Sequence, residues 1–256
     1  MVAFLALDPY CSRLPTFAVR GARVQRSYRY LDVVTGIFVA VLLLSNLLSS
    51  AKIIDLGASL GPVPLIFDAG TLVFPVSYIF GDILTEVYGY RAARKVIWMG
   101  FFASVLMAGL IWLAGVMPGE AIWQDMAGQA AYDAILGGVT GLVVASLAAY
   151  LVGEFANSYV LARMKVLTNG RYLWMRTIGS TLVGQAVDTI VFIGIATLLG
   201  VFTSEQMLGL IVTNYILKVG IEVIFTPVTL MVVKWLKHAE QSDPFDRDTN
   251  FNPFRV

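Results

Sequence analysis

LIFDAGTLVFPVSYIFGDILTEVYGYRAARKV, residues 65–96, is the stretch that decides the fold of this chain. It is an apolar run that carries carboxylates, of which Asp82 and Glu86 are four residues apart and therefore on one face of a helix. Gly89 can end that helix, and the basic turn Arg91–Lys95 follows it. A charge at the centre of a membrane helix costs roughly 2.5 to 3.5 kcal/mol. The two carboxylates therefore either work inside the membrane or lie near the lipid headgroups.

The composition is that of a multi-pass membrane protein. The chain has 256 residues, of which 58% are hydrophobic and 14% charged, too apolar for an ordinary soluble domain. A net charge of +1 argues against a nucleic-acid partner. The single cysteine, Cys11, and the single histidine, His238, argue against an internal disulfide, a metal centre or a histidine-based active site. No cofactor is expected.

The apolar runs predict an all-α fold with six transmembrane helices. The predicted spans are Leu31–Ser50, Val63–Tyr88, Val96–Val116, Gly137–Leu161, Leu173–Gly200 and Met207–Leu236. Pro75 and Pro227 remove backbone donors, and kinks are expected there. Residues 1–30 are expected to form a flexible cytoplasmic tail, residues 31–237 the transmembrane domain, and residues 238–256 a loosely ordered cytoplasmic tail. Between the third and fourth spans, Pro118–Leu136 predicts an interfacial helix.

The basic residues set the expected orientation. Of the 18 lysines and arginines, all except Lys52 and Lys218 fall in segments that the six spans place on one side. Because lysine and arginine are enriched on the cytoplasmic side, both termini are predicted to be cytoplasmic.

Small residues recur every four positions in the fourth span, at Gly141, Ala145, Ala149 and Gly153. Such a face lets another backbone approach closely. Its partner is either a helix of the same chain or a second subunit or membrane protein, which includes a homodimer.

Polar residues inside the spans suggest a central polar cavity. They include Asn46 in the first span, Tyr78, Asp82 and Glu86 in the second, Glu154 and Asn157 in the fourth, Gln185 and Asp188 in the fifth, and Asn214, Tyr215, Lys218 and Glu222 in the sixth. Asp188 and Lys218 both fall near the bilayer midplane. They form either an ion pair that fixes helix packing or part of a site for a ligand with its own hydrogen-bonding edge.

These residues resemble the queuosine precursor transporters, also described as vitamin uptake transporters. The resemblance covers about residues 31–237. It rests on Ser45-Asn46, Phe74-Pro75, Asp82, Glu86, Tyr88 and Gly89, the Arg91-Ala-Ala-Arg94-Lys95 turn, Gly184-Gln-Ala-Val-Asp188-Thr189, Asn214-Tyr215 and Lys218-Val219. It implies a plan similar to the substrate-binding subunits of energy-coupling-factor importers. The implied function is uptake, at the inner membrane, of 7-cyano-7-deazaguanine and 7-aminomethyl-7-deazaguanine.

The residue chemistry suits such a base. Asp188 can accept from its donor edge and Lys218 can donate to its carbonyl. Asn46 and Gln185 are expected to satisfy other ring atoms, and Tyr78 and Tyr215 to stack on the base. Coupling is expected either to protons, through Asp82 and Glu86, or to no ion.

Two alternatives belong to other classes. The chain has no G-x-x-x-x-G-K loop and so does not hydrolyse ATP by that route, but a binding subunit that relies on separate ATPase partners remains an alternative. An intramembrane aspartyl protease would use Tyr132-Asp133 and Gly81-Asp82. Asp133, however, falls in the predicted external loop, and Ile79 stands where that motif has a second glycine. A transporter, not an enzyme, is therefore predicted.

Overall fold

A computed structural model describes residues 28–61, 63–136, 140–200 and 203–255. The predicted flexible tail lies almost wholly outside the described residues. Within them the structure has eight α-helices and one β-hairpin. The helices are α1 Leu31–Ala51, α2 Phe74–Tyr88, α3 Tyr90–Val116, α4 Ala121–Met126, α5 Gly128–Ile135, α6 Thr140–Leu167, α7 Leu173–Leu198 and α8 Ser204–Glu240.

Five helices in the described part are long and apolar enough to cross a membrane, namely α1, α3, α6, α7 and α8. Each corresponds to a predicted span. Their outer faces carry large apolar side chains, among them Leu106, Trp112 and Ile224, with exposed fractions of 62%, 69% and 74%. An apolar surface of this extent marks contact with lipid. The multi-pass membrane class is therefore confirmed.

The second predicted span is not one helix. Its first part is strand β2, Val63–Asp68, which pairs antiparallel with β1, Ile53–Leu60. A 3-10 turn, Ala69–Leu72, leads into α2. With 15 residues, α2 is about 22 Å long, short of the roughly 30 Å of a hydrocarbon core. In place of six predicted spans, the described residues thus contain five helices long enough to cross a membrane and the shorter α2.

The structure shows where the predicted helix end at Gly89 and the two prolines with expected kinks lie. Gly89 ends α2 with φ +84°, a conformation that favours glycine, so the predicted helix end is confirmed. Pro75 is the second residue of α2, where it begins a helix instead of kinking one. Pro227 lies within the continuous helix α8.

The segment Pro118–Leu136 holds two short helices, α4 and α5, in place of one. Glu120 caps α4 by accepting a hydrogen bond of 3.0 Å from the Trp123 amide. Backbone hydrogen bonds from the first turn of α4 lower the pKa of Glu120, because they stabilise its charged form.

The start of α1 and the ends of α2 and α8 meet at one end of the bundle, which we call the basic end. The Glu240 carboxylate accepts from the backbone amides of Arg29 and Tyr30, at 2.9 and 2.7 Å. The Tyr88 hydroxyl donates to it as well. Because α2 returns the chain to this end, the basic segments that the structure describes gather here, as the residue count predicts.

Residues 241–255, which we call the C-terminal strap, are packed along the basic end and are not a loose tail. Arg94 donates to the carbonyls of Asn250 and Asn252, at 2.9 and 2.8 Å. The Trp98 indole donates to the Pro253 carbonyl at 2.8 Å. The expectation of a loosely ordered tail rested on the lack of an apolar period, but the strap is held through its backbone carbonyls, which that pattern does not report.

Candidate functional site

The buried polar groups form two sets along α2. The set nearer the basic end is the Glu86 hub, made of Glu86, Lys165, Arg176, Lys237 and Asp243. Arg176 on α7 donates from Nε and Nη2 to the two oxygens of the Glu86 carboxylate, at 2.9 and 2.7 Å. Lys165 on α6 donates to the Glu86 carbonyl at 2.7 Å, and Lys237 on α8 contacts the Glu86 carboxylate. One carboxylate therefore ties α2 to three other helices.

The strap completes the Glu86 hub. Asp243 bridges Lys165 and Lys237 at 2.6 and 2.7 Å. Burial alone would raise the pKa of Asp243, but its hydrogen bonds to the two lysines and their charges outweigh burial and lower that pKa.

The second set lies one turn further from Glu86 along α2. We call it the acid cluster, made of Asp82 on α2, Glu154 on α6, Asp188 on α7 and Glu222 on α8. The exposed fractions of these residues are 2%, 1%, 8% and 4%. Asp82 interacts electrostatically with Glu222 and Glu154, and Glu154 with Glu222 and Asp188. Four helices thus bring four carboxylates close together in the middle of the bundle.

Neighbouring side chains bind three of these carboxylates. Lys218 contacts Asp188 at 2.6 Å. The Asn157 amide donates to Asp82 at 3.1 Å. Thr181 and Gln185 donate to Glu222 at 2.6 and 3.3 Å.

Several buried acceptors around the cluster have no hydrogen-bond donor among the described residues. They are Glu154 Oε2, Asn157 Oδ1 and Gln185 Oε1. Unsatisfied polar atoms are rare in the interior of a protein. The Thr189 hydroxyl, next to Asp188, has no partner either. Among the described residues of the centre, unpaired acceptors therefore outnumber unpaired hydroxyl donors.

Glycines allow the helices to approach closely at this level. A Cβ on Gly153 would lie 2.8 Å from the Asp188 Cβ, and one on Gly184 would lie 2.8 Å from the Asn157 Cβ. The contacts are reciprocal because α6 and α7 carry the same pattern, Gly153-Glu-x-x-Asn-Ser and Gly184-Gln-x-x-Asp-Thr, in opposite directions. The repeated pattern is only six residues long, so it is hard to recognise in the sequence without these contacts.

The stripe of small residues on α6 packs inside the chain where the structure describes it. Ala145 and Ala149 are 0% and 1% exposed, and Gly153 meets Asp188 on α7. Of the two predicted partners, the structure shows a helix of the same chain.

The structure brings together six of the ten predicted site residues. These are Tyr78, Asp82, Gln185, Asp188, Lys218 and Glu222. Glu86 belongs to the hub instead. Asn214 donates to the Leu210 carbonyl of its own helix at 3.0 Å, and Tyr215 donates to the Leu182 carbonyl at 3.2 Å. Asn46 is half-buried on α1, and no hydrogen bond joins it to the cluster in the described part of the chain.

Glu154 and Asn157 count among the polar residues of the spans in the sequence but are not assigned there to the binding site, and Lys165 and Arg176 are not predicted as buried residues. Glu154 and Asn157 have the same three-residue spacing as Gln185 and Asp188, which was an available signal. Lys165 and Arg176 counted only as charges at helix ends, yet each is 1% exposed. Their burial results from helix crossing, which the sequence of one helix does not reveal.

The fold and the buried polar centre define a multi-pass membrane protein. The sequence model of the family described as "Putative vitamin uptake transporter" matches residues 68–232. The chain belongs to this family, which is a family of transporters and not of enzymes.

Three relatives carry related names. A "Probable queuosine precursor transporter" of Bacillus subtilis is 29% identical over 174 residues, covering 68% of this chain and 74% of the relative. A protein of the same name from Haemophilus influenzae is 29% identical over 161 residues, covering 62% of this chain and 65% of the relative. The "Queuosine precursor transporter" of Escherichia coli is 25% identical over 158 residues, covering 61% and 67%. No solved structure significantly matches this chain.

Proposed function

We propose that this protein imports queuosine precursors, 7-cyano-7-deazaguanine or 7-aminomethyl-7-deazaguanine, across the plasma membrane. The base binds among α2, α6, α7 and α8 at the level of the acid cluster. One observation carries this proposal. Four buried carboxyl groups, those of Asp82, Glu154, Asp188 and Glu222, lie beside amide oxygens that have no hydrogen-bond donor among the described residues. These residues all lie within the part of the chain that matches the family, and the relatives' names supply the kind of substrate.

The chemistry of a deazaguanine matches this surplus of acceptors. Its ring edge presents adjacent N–H donors next to one carbonyl acceptor. Carboxylates are acceptors when ionised, and their hydrogen bonds to N–H groups are stronger than those between neutral groups. Asp188 binds the donor edge and Lys218 the carbonyl. Tyr78, only 4% exposed, stacks on the ring.

The alternative for Asp188 and Lys218 is an ion pair that only fixes packing. Either partner alone would be a buried, uncompensated charge, so the contact of 2.6 Å by itself fits both explanations. The unsatisfied acceptors Asn157 Oδ1 and Gln185 Oε1 favour a ligand, since packing alone leaves them without a donor.

Binding requires the helices to move. Asp82, Glu154, Gln185 and Glu222 are all 4% exposed or less, so the cluster is closed to solvent. Opening toward the basic end requires the Glu86 hub to separate, because that hub joins the same four helices. We infer that the basic end faces the cytoplasm and that separation of the hub releases the substrate there.

Uptake by the purified protein tests the function. Proteoliposomes that contain only this chain are mixed with radiolabelled 7-aminomethyl-7-deazaguanine or 7-cyano-7-deazaguanine, with protein-free vesicles as the control. Accumulation above the control supports a transporter that works alone. Binding without accumulation points to a subunit that needs ATPase partners, and absence of both rejects the proposal.

A further inference from the structure

The charges inside the bundle do not balance at the acid cluster. Glu86 is fully compensated, since Arg176, Lys165 and Lys237 all contact it. Of the four cluster carboxylates, only Asp188 has a cationic partner, Lys218. In the described part of the chain, Asp82, Glu154 and Glu222 form no salt bridge. A buried carboxylate without a cation is strongly unfavourable.

The hydrogen bonds identify Glu154 as the least satisfied member. Asp82 accepts from Asn157, and Glu222 accepts from Thr181 and Gln185. Glu154 is 1% exposed, and its Oε2 atom has no donor among the described residues. That atom faces the backbone of Gly81, where a Cβ would lie only 3.0 Å away.

A neutral amide beside Glu154 shows the same deficit of donors. Gln185 is 0% exposed and uses its amide nitrogen on Glu222, while its Oε1 atom has no donor. The carboxylates also lack an arrangement that would hold a metal ion, as judged from the described residues. A ligand that carries both a positive charge and several N–H donors would therefore complete this site with its carboxyl groups ionised, and without such a ligand they take up protons instead.

We propose that the site selects a cationic ligand, a deazapurine with a protonated primary amine, and that Glu154 binds its ammonium group. This inference rests on the proposed function. An ammonium brings three donors and one positive charge to a site that lacks both. A nitrile at the same ring position is only an acceptor and would add to the surplus.

Binding to the detergent-purified, full-length protein tests the inference, with 7-aminomethyl-7-deazaguanine and 7-cyano-7-deazaguanine compared by calorimetry. The wild-type protein is expected to bind the amine at least about tenfold more tightly than the nitrile, the range of a charge-assisted hydrogen bond. Equal affinity, or preference for the nitrile, overturns the inference and leaves the proposed function standing. If neither compound binds, the proposed function fails and the inference fails with it.

Glu154→Gln tests the residue assignment. It is expected to weaken binding of the amine about tenfold and to change binding of the nitrile by less than about twofold. Glu205→Gln, at an exposed glutamate in the first turn of α8, is the matched control and should change neither affinity. Equal weakening of both ligands by Glu154→Gln would show that Glu154 does not bind the ammonium. If that variant does not fold, the comparison of the two ligands on the wild-type protein still decides the inference.

Discussion

Gly153 on α6 lies directly against Asp188 on α7, so closely that a Cβ on the glycine would be 2.8 Å from the Asp188 Cβ. A close helix contact and a residue of the proposed site therefore coincide. Gly184 makes the reciprocal contact with Asn157. The geometry of the site depends on two residues that have no side chain.

Gly153→Ala is expected to lower the free energy of unfolding by about 1 to 3 kcal/mol, because a new methyl group at this contact forces the helices apart. Gly194→Ala is the matched control, since a Cβ at Gly194 meets nothing within 4 Å. That change should be neutral or stabilising by up to about 1 kcal/mol, because alanine favours the helix. Thermal melting in detergent measures both. Equal melting temperatures for the two variants would show that α6 and α7 are not in close contact here.

Glu86→Ala is expected to destabilise the fold by roughly 3 to 5 kcal/mol, because it leaves Arg176 and Lys165 buried without their main counter-charge. Glu205→Ala, at an exposed glutamate, should change stability by less than about 0.5 kcal/mol. Denaturant unfolding in mixed micelles compares the two. A Glu86→Ala variant as stable as the control would mean that the hub does not hold the four helices together.

Asp243→Asn is expected to make the stability of the protein depend less on pH in the acidic range. A carboxyl group whose pKa is lowered by folding stabilises the protein above its unfolded pKa, near the ordinary value of 3.8, and this stabilisation is lost as the pH falls through the folded pKa. The side chain is 48% exposed, so the effect is limited to about 1 kcal/mol.

Melting temperatures from pH 7 to pH 3 check the Asp243 prediction. The melting temperature of the wild-type protein should be higher than that of Asp243→Asn at pH 7, and the difference between the two should shrink below about pH 4. Asp248→Asn, at an exposed strap residue, is the control and should follow the wild-type curve. A difference that is constant with pH would rule out a charge contribution from Asp243.

Asp82→Asn is expected to retain ligand binding and to remove any dependence of uptake on a pH gradient. Asp82 is buried without a cationic partner in the described part of the chain, and its hydrogen bond from Asn157 survives in the variant. A buried carboxyl group of this kind is placed to carry a proton. Proteoliposome uptake with and without a gradient measures this. Unchanged gradient dependence would exclude Asp82 from coupling.

The long apolar runs of the sequence predict the five long helices. The spans around α1, α3, α6, α7 and α8 were correct to within a few residues at most ends, since about 20 apolar residues suffice to identify a membrane helix. The hairpin before α2 was missed because a short apolar run fits a strand as well as a helix. Gly57 and Gly61, which have positive φ in the hairpin, are the residues in this segment whose type indicates a turn.

The site was predictable only in part. Gln185, Asp188, Lys218 and Glu222 stand out because polar residues at helical spacing in an apolar run are conspicuous. Glu154 looks the same in sequence, and its importance comes from its position beside Gly81 and its lack of a donor. The ion pairs of Glu86 depend on how α2 crosses three other helices, which no local pattern encodes.

The most direct test of the central claim is the affinity of the double variant Asp188→Asn, Lys218→Gln for a deazaguanine. The two changes remove both charges together and keep similar volumes and hydrogen-bonding groups, so neither partner is left as a lone buried charge. If Asp188 and Lys218 bind the base, the double variant should keep near-normal thermal stability but bind the deazaguanine at least about tenfold more weakly. A charge-assisted hydrogen bond contributes roughly 1.5 to 3 kcal/mol. A stable double variant with wild-type affinity would contradict this prediction and show that Asp188 and Lys218 only pack the helices.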